Sequence, residues 1–212
     1  MSNARQEILA QIVAAVGPRG IEQAVERAYR RSGAFTDEQR IELFCARVGE
    51  YRAEVQRVAE VDVAALISSI CAARNARRLV IPLEAPAAWR SADVELVADH
   101  GLSAAALDQV DGALTGCTVA IAETGTIVLT ASAVEGRRAL SLVPDLHICI
   151  VREQQIVGLL PEALAMIASE GLERRPITFV SGPSATSDIE LTRVEGVHGP
   201  RALVVLVVKE SS

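Results

Sequence analysis

Ser181-Gly-Pro-Ser-Ala-Thr-Ser-Asp-Ile-Glu-Leu-Thr-Arg-Val-Glu-Gly-Val-His-Gly-Pro-Arg201 is the stretch from which the fold can be read outward. An apolar run, Ile177 to Val180, precedes it, and a second run rich in β-branched residues, Ala202 to Val208, follows it. Both read as buried strands. A link between two such strands needs only a few residues. The glycine, hydroxyl, carboxylate, histidine and arginine packed into this one therefore call for a chemical reason. Gly182 and Pro183 fit a turn at the strand end, and Ser184 fits the N-cap of a short helix running through Asp188 to Leu191. Such a helix start can hold a phosphate or carboxylate on its free N–H groups. The same residues also suit a plain cap and turn.

Upstream, apolar strands alternate with helical segments from Asp62 onward. The expected order is helix Val63–Asn75, strand Arg78–Pro82, a loop or short helix Ala85–Arg90 and strand Val94–Val97. Helix Ser103–Leu114 and strands Cys117–Ala122 and Thr126–Thr130 come next. Arg137–Leu142 is helical or irregular, His147–Val151 a strand, and a helix follows Pro161. The strands Ile177–Val180 and Leu203–Val208 are expected to complete the sheet. Helices between apolar strands imply right-handed crossovers and a mostly parallel sheet covered on both faces, an α/β fold in three layers, α/β/α.

Before residue 61 the pattern is helical. Ser2 to Val16 is a short amphipathic helix closed by Gly17-Pro18, and Ile21 to Arg31 is a second helix or an arm. Thr36 caps a long helix whose apolar stripe (Ile41, Phe44, Cys45, Val48, Tyr51, Val55, Val58) suits core packing or a homodimer seam. The expected organisation is an N-terminal helical segment, 1–60, and an α/β domain, 61–212.

Composition excludes several classes. Half of the 212 residues are hydrophobic but only 3% are aromatic, so Ala, Val, Leu and Ile build the interior. A net charge of −6 argues against nucleic acid or an anionic membrane as partner. No run is long enough to span a bilayer and no signal-peptide core follows the start, so the expected location is the cytoplasm. Cys45, Cys71, Cys117 and Cys149 are widely spaced and lack a Cys-x-x-Cys pair, which reads as buried thiols and not as a cluster or zinc site.

Chemistry is expected where polar turns follow buried strands, because ligands of open parallel sheets bind beyond the strands' carboxyl ends. Two turns qualify: Glu123-Thr124-Gly125-Thr126 and Ser181 to Asp188. Gly125 permits close backbone approach, Thr124 and Thr126 offer hydroxyls, and Glu123 can act as general base or ligand clamp. His198, between Gly196 and Gly199, has small neighbours that leave its ring accessible. It joins Glu123 as a candidate catalytic group. Gly182, Ser184, Thr186, Asp188 and Arg201 join the three turn residues as candidate ligand contacts, with Arg201 and Arg138 suited to a carboxylate. His100 reads as surface, and His147 suits either a structural bond or a site role. No His-x-His or His-x-x-x-His spacing points to a metal, and Gly182-Pro183-Ser184 is not a nucleophile elbow.

Three motifs, in order, resemble the LUD-domain family, in its lactate-utilisation protein C branch. They are Ala122-Glu-Thr-Gly-Thr126, then Arg138-x-Leu-Ser-Leu-Val-Pro-Asp-x-His-Ile148, then Gly182-Pro-Ser-x-Thr-x-Asp-Ile-Glu190 with Gly196-Val-His-Gly-Pro200. The resemblance covers the C-terminal half, and more loosely Tyr29-Arg30 and the helix around Ile41 to Val58. It implies a fold related to the NagB/RpiA/coenzyme-A transferase group and a part in a system oxidising L-lactate to pyruvate. It further implies iron–sulfur clusters carried by partner proteins, none in this chain, and a bound small anionic ligand. Fold analogy leaves a second reading open, a stand-alone enzyme or binding protein for a phosphosugar, nucleotide or acyl-coenzyme-A ester.

Overall fold

A computed structural model describes residues 3–16, 28–183 and 199–210. The chain falls into two compact units, Met1–Arg30 and Arg31–Ser212. In the first, helix α1 (Asn3–Val16) leaves Ile8, Leu9, Ile12 and Val13 exposed. Residues 17–27, where a second helix or arm is expected, lie outside the described residues.

The second unit begins with helix α2 (Asp37–Glu50). Its start is held by a reciprocal capping box, in which Thr36 Oγ1 accepts from the Gln39 N–H and Gln39 Oε1 accepts from the Thr36 N–H. Asp37 and Glu38 in its first turn complement the helix dipole. The helix expected to continue through Val58 stops at Glu50. Arg52 adopts φ +65°, and the chain re-enters as strand β1 (Glu54–Ala59). Residues 41–59 thus belong to the α/β unit.

Thereafter come α3 (Val63–Ala73), β2 (Arg78–Ile81), β3 (Glu95–Ala98), α4 (Ala104–Leu107) and β4 (Gly112–Thr115). The hairpin β5 (Val119–Ile121) and β6 (Thr126–Leu129) is followed by β7 (Leu146–Arg152) and β8 (Ile156–Val157). Helix α5 (Leu160–Ser169), β9 (Thr178–Val180) and β10 (Ala202–Lys209) complete the unit. The helix expected over Ser103–Leu114 is one turn only, and Gly112–Thr115 enters the sheet between β2 and β7.

The α/β class and the mostly parallel sheet are as expected. Six strands in the order β1-β10-β7-β4-β2-β3 are all parallel. One face, with Val204, Leu206, Ile148 and Ile150, packs on Val63, Ile67 and Ile70 of α3. The other presents Leu203, Val205, Val207, Cys149 and Val151 to Ile41, Phe44 and Val48 of α2. One expectation is corrected. Cys117–Ala122, Thr126–Thr130 and Ile177–Val180 do not join this sheet. They form a second one, ordered β8-β5-β6-β9, in which β6 runs antiparallel to β5 and β9 while β8 lies parallel to β5. Its Ala120, Ala122 and Ile127 pack on the large sheet's α2 side, and Val119, Ile121 and Val128 face Ala163 and Ile167 of α5. The alternating burial of both strand faces, demanded by period-two geometry, places each set of apolar side chains in its own layer.

Candidate functional site

The two polar turns singled out in the sequence do meet. Thr126 Oγ1 lies 2.7 Å from Thr124 Oγ1 and 2.8 Å from Ser181 Oγ, because β6 pairs with β9 and brings Thr126 beside the end of β9. Their hydroxyls satisfy one another. Gly125 adopts φ +59°, and a Cβ there would sit 2.6 Å from the Val48 nitrogen and 2.7 Å from Arg47. The close approach that this glycine allows is that of helix α2. Gly182 likewise faces Tyr51, whose carbonyl would lie 3.0 Å from an added Cβ. Glu123 and Thr124 are exposed.

The turns therefore sit beside the carboxyl end of α2, just ahead of β1. The carboxyl-end rule for parallel sheets does not reach them, since their strands belong to the second sheet. Arg201 is exposed at the amino end of β10, its Nε 3.4 Å from Asp145. Ser184, Thr186, Asp188 and His198 lie outside the described residues. His147 is buried in β7, with Nε2 2.8 Å from Thr115 Oγ1. Thr115 directs its one hydroxyl hydrogen to the Gly116 carbonyl, 3.0 Å away, so Nε2 is the donor and Nδ1 is a bare lone pair. That Nδ1 is buried without a hydrogen-bond partner among the described residues. Burial holds the imidazole down at about 4.

The topology itself marks another place. From β2 the chain passes to β3 on one side, whereas from β4 it passes, through the hairpin, to β7 on the other. The connections diverge between β2 and β4, and a crevice opens outside the carboxyl ends of strands at such a point. A cavity of about 370 Å³ opens next to that point, outside the carboxyl ends of β2 and β3. Pro82 to Glu84 leave β2 along one side of it, Asp99 and Gly101 leave β3, and residues from 131 to 137 close it. The Gly116 N–H donates to the Val134 carbonyl, 2.9 Å, which ties that closing segment to the end of β4.

The crevice is firmly built. Asp99 is buried and receives four hydrogen bonds: Arg137 Nε at 2.6 Å, Arg137 Nη2 at 2.9 Å, and the N–H groups of Gly101 and Leu102 at 3.1 and 2.9 Å. The guanidinium beside it, with the two N–H groups, keeps the Asp99 carboxyl below its ordinary range. Arg137 Nη2 also donates to the Leu102 carbonyl. Its Nη1 has no bond among the described residues, so one edge of a fixed guanidinium remains available.

Glu135, also buried, accepts from Thr118 Oγ1 (2.7 Å) and from the N–H groups of Thr130 (2.7 Å) and Ser132 (2.8 Å). Those two amides flank Ala131, which Glu135 thereby holds at φ +55°, a conformation that costs a side-chain-bearing residue about 1–2 kcal/mol. Ser132 Oγ is buried with no partner among the described residues. Backbone strain clamped from both sides and an unsatisfied hydroxyl are features that cluster at functional sites.

A larger cavity, about 460 Å³, lies at the opposite, amino ends of the strands. Apart from Asp108, its charges are committed: Arg201 to Asp145, Arg74 to Glu54, and Asp111 to the N–H groups of Arg77 and Arg78. The switch-point crevice is the better candidate. Sequence reading missed Asp99, Ala131, Ser132, Glu135 and Arg137. The one local signal was Asp99-His100-Gly101 after an apolar strand, which suits an Asx turn. Among the described residues no group of three or more His, Cys, Asp or Glu side chains is placed to hold a metal ion.

A family model, LUD domain, matches residues 41–208, which include every segment of the crevice. Lactate utilization protein C of Deinococcus radiodurans is 50% identical over 163 residues, 76% of each chain. Lactate utilization protein C 1 of Bacillus mycoides is 38% identical over 104 residues, covering 47% of this chain and 44% of that one. Among solved structures, a DUF162 family protein from Deinococcus radiodurans superposes with a TM-score of 0.72 at 40% identity, covering 82% of this chain and 99% of that one.

Proposed function

This chain belongs to the LUD-domain family, and from that premise we propose that it serves lactate utilisation as a component of a system oxidising L-lactate to pyruvate. The names of its relatives support the role. In the division of labour proposed here, this chain binds the small carboxylate and partner proteins carry the iron–sulfur clusters. Converting a 2-hydroxy acid to a 2-oxo acid releases two electrons and two protons, and the electrons pass to those partners. The sequence holds no Cys-x-x-Cys pair, the spacing that most cluster sites use, and this supports a chain that leaves electron carriage to others. No described helix is long and apolar enough to cross a membrane, consistent with the cytoplasm as the proposed location.

The observation that carries the reading is the crevice beyond the ends of β2 and β3, lined by an Arg137 that Asp99 holds in place. A carboxylate there gains a charge-assisted bond to a guanidinium that Asp99 already holds in place. The test is growth on L-lactate as sole carbon source in a strain lacking this chain. The intact chain restores growth, and Arg137→Lys, confirmed folded by its melting curve, restores it poorly because an ammonium replaces the planar fork. Full rescue by Arg137→Lys, or normal growth without the chain, overturns the proposal.

A further inference from the structure

The crevice is larger than the acid that the family's name suggests. L-lactate has six non-hydrogen atoms. At roughly 30 Å³ for each water-sized group they fill about half of the space, against a cavity of about 370 Å³. Much of the lining is apolar. Pro82, Leu83, Ala131 and Ala133 all line the cavity, and Leu83 is 61% exposed beside it. A large apolar side chain left to solvent at the rim of a pocket is surface that a ligand can cover. The polar side chains that line the cavity are Asp99, Ser132, Arg137 and the exposed Glu84.

Resting on the carboxylate-binding reading above, we infer that the crevice is built for 2-hydroxy or 2-oxo acids with an apolar side chain longer than a methyl group. The carboxylate lies on the Arg137 Nη1 edge, and the side chain extends along Leu83 and Ala133. Burying each added methylene against these residues strengthens binding about twofold to fourfold, the upper figure being that of complete burial.

The test is calorimetric titration of the full chain with L-lactate, L-2-hydroxybutyrate, L-2-hydroxyisovalerate and L-3-phenyllactate. Affinity is expected to rise along the series, by at least tenfold from lactate to phenyllactate. Leu83→Ser, a change at an exposed position, is expected to weaken phenyllactate at least fivefold more than lactate. Binding of lactate with falling affinity for the longer acids overturns this inference and leaves the carboxylate site standing. Binding of none of the four, or equal binding to Arg137→Lys, overturns the site reading and this inference together. A rising series that is indifferent to Leu83→Ser places the side chain elsewhere and overturns the inference alone.

Discussion

Acid should destabilise this protein through one side chain whose contribution can be isolated. His147 is buried at the start of β7, donates from Nε2 to Thr115, and has nothing opposite Nδ1. Burial lowers its pKa from 6.5 to about 4. In the unfolded chain the ring takes up a proton below pH 6.5, whereas the folded protein refuses it until about pH 4. Stability is therefore complete above pH 6.5 and falls as the pH drops from there towards 4, because the unfolded state binds the extra proton. With these two values the loss between pH 7.5 and pH 5 is about 2 kcal/mol. Urea unfolding at both pH values measures it. His147→Gln removes the titrating group while keeping a donor for Thr115. The variant is less stable at pH 7.5, yet its loss on going to pH 5 is smaller than the parent's by about 2 kcal/mol. Carboxylates such as Asp99 titrate alike in both proteins and cancel. Identical pH dependence in the two refutes the claim that the native core excludes a proton at this ring.

Gly125→Ala forces a Cβ against the backbone of α2 in a left-handed conformation. It should cost about 3 kcal/mol, read by urea denaturation, and parent-like stability would show that the hairpin does not rest on the helix as described. Glu135→Ala strands the N–H groups of Thr130 and Ser132. It should cost about 2–4 kcal/mol and speed amide exchange across residues 130–136. Glu135→Gln keeps an acceptor for both amides and turns its own N–H₂ towards Thr118, so it should recover most of that loss. Equal losses in the two variants would show that geometry at this carboxyl is immaterial.

Much of the fold was legible because local and long-range preferences agree. Thr36 spells out the start of α2, and the run Ala202 to Val208 has no reading but a strand buried on both faces. Where they disagree, tertiary context decided. Val55 and Val58 continue the helical spacing of Ile41, Phe44 and Val48, yet the chain turns at Arg52, where Gly49 inside the last helical turn is the one nearby breaker. Gly112-Ala-Leu-Thr115 has weak strand propensity and becomes a strand because β2 and β7 flank it. Two sheets and one sheet produce the same string of apolar runs, so the separate pairing of β5, β6 and β9 left no trace in periodicity. The density of polar residues drew the site reading to Glu123–Thr126 and to the segment after Val180. The crevice instead depends on Asp99 meeting Arg137 across 38 positions of sequence and on one carboxylate fixing the conformation of Ala131. Neither relation has a sequence spacing to read.

The central claim is that the ligand's carboxylate sits on Arg137, beyond the carboxyl ends of β2 and β3. Amide chemical-shift mapping of the intact chain during titration with pyruvate tests it without altering a residue. The account predicts that the shifts concentrate at 82–84, 99–102 and 131–137. Shifts confined to 123–126 and 181–183, or to the opposite cavity around Asp111 and Arg201, would contradict it.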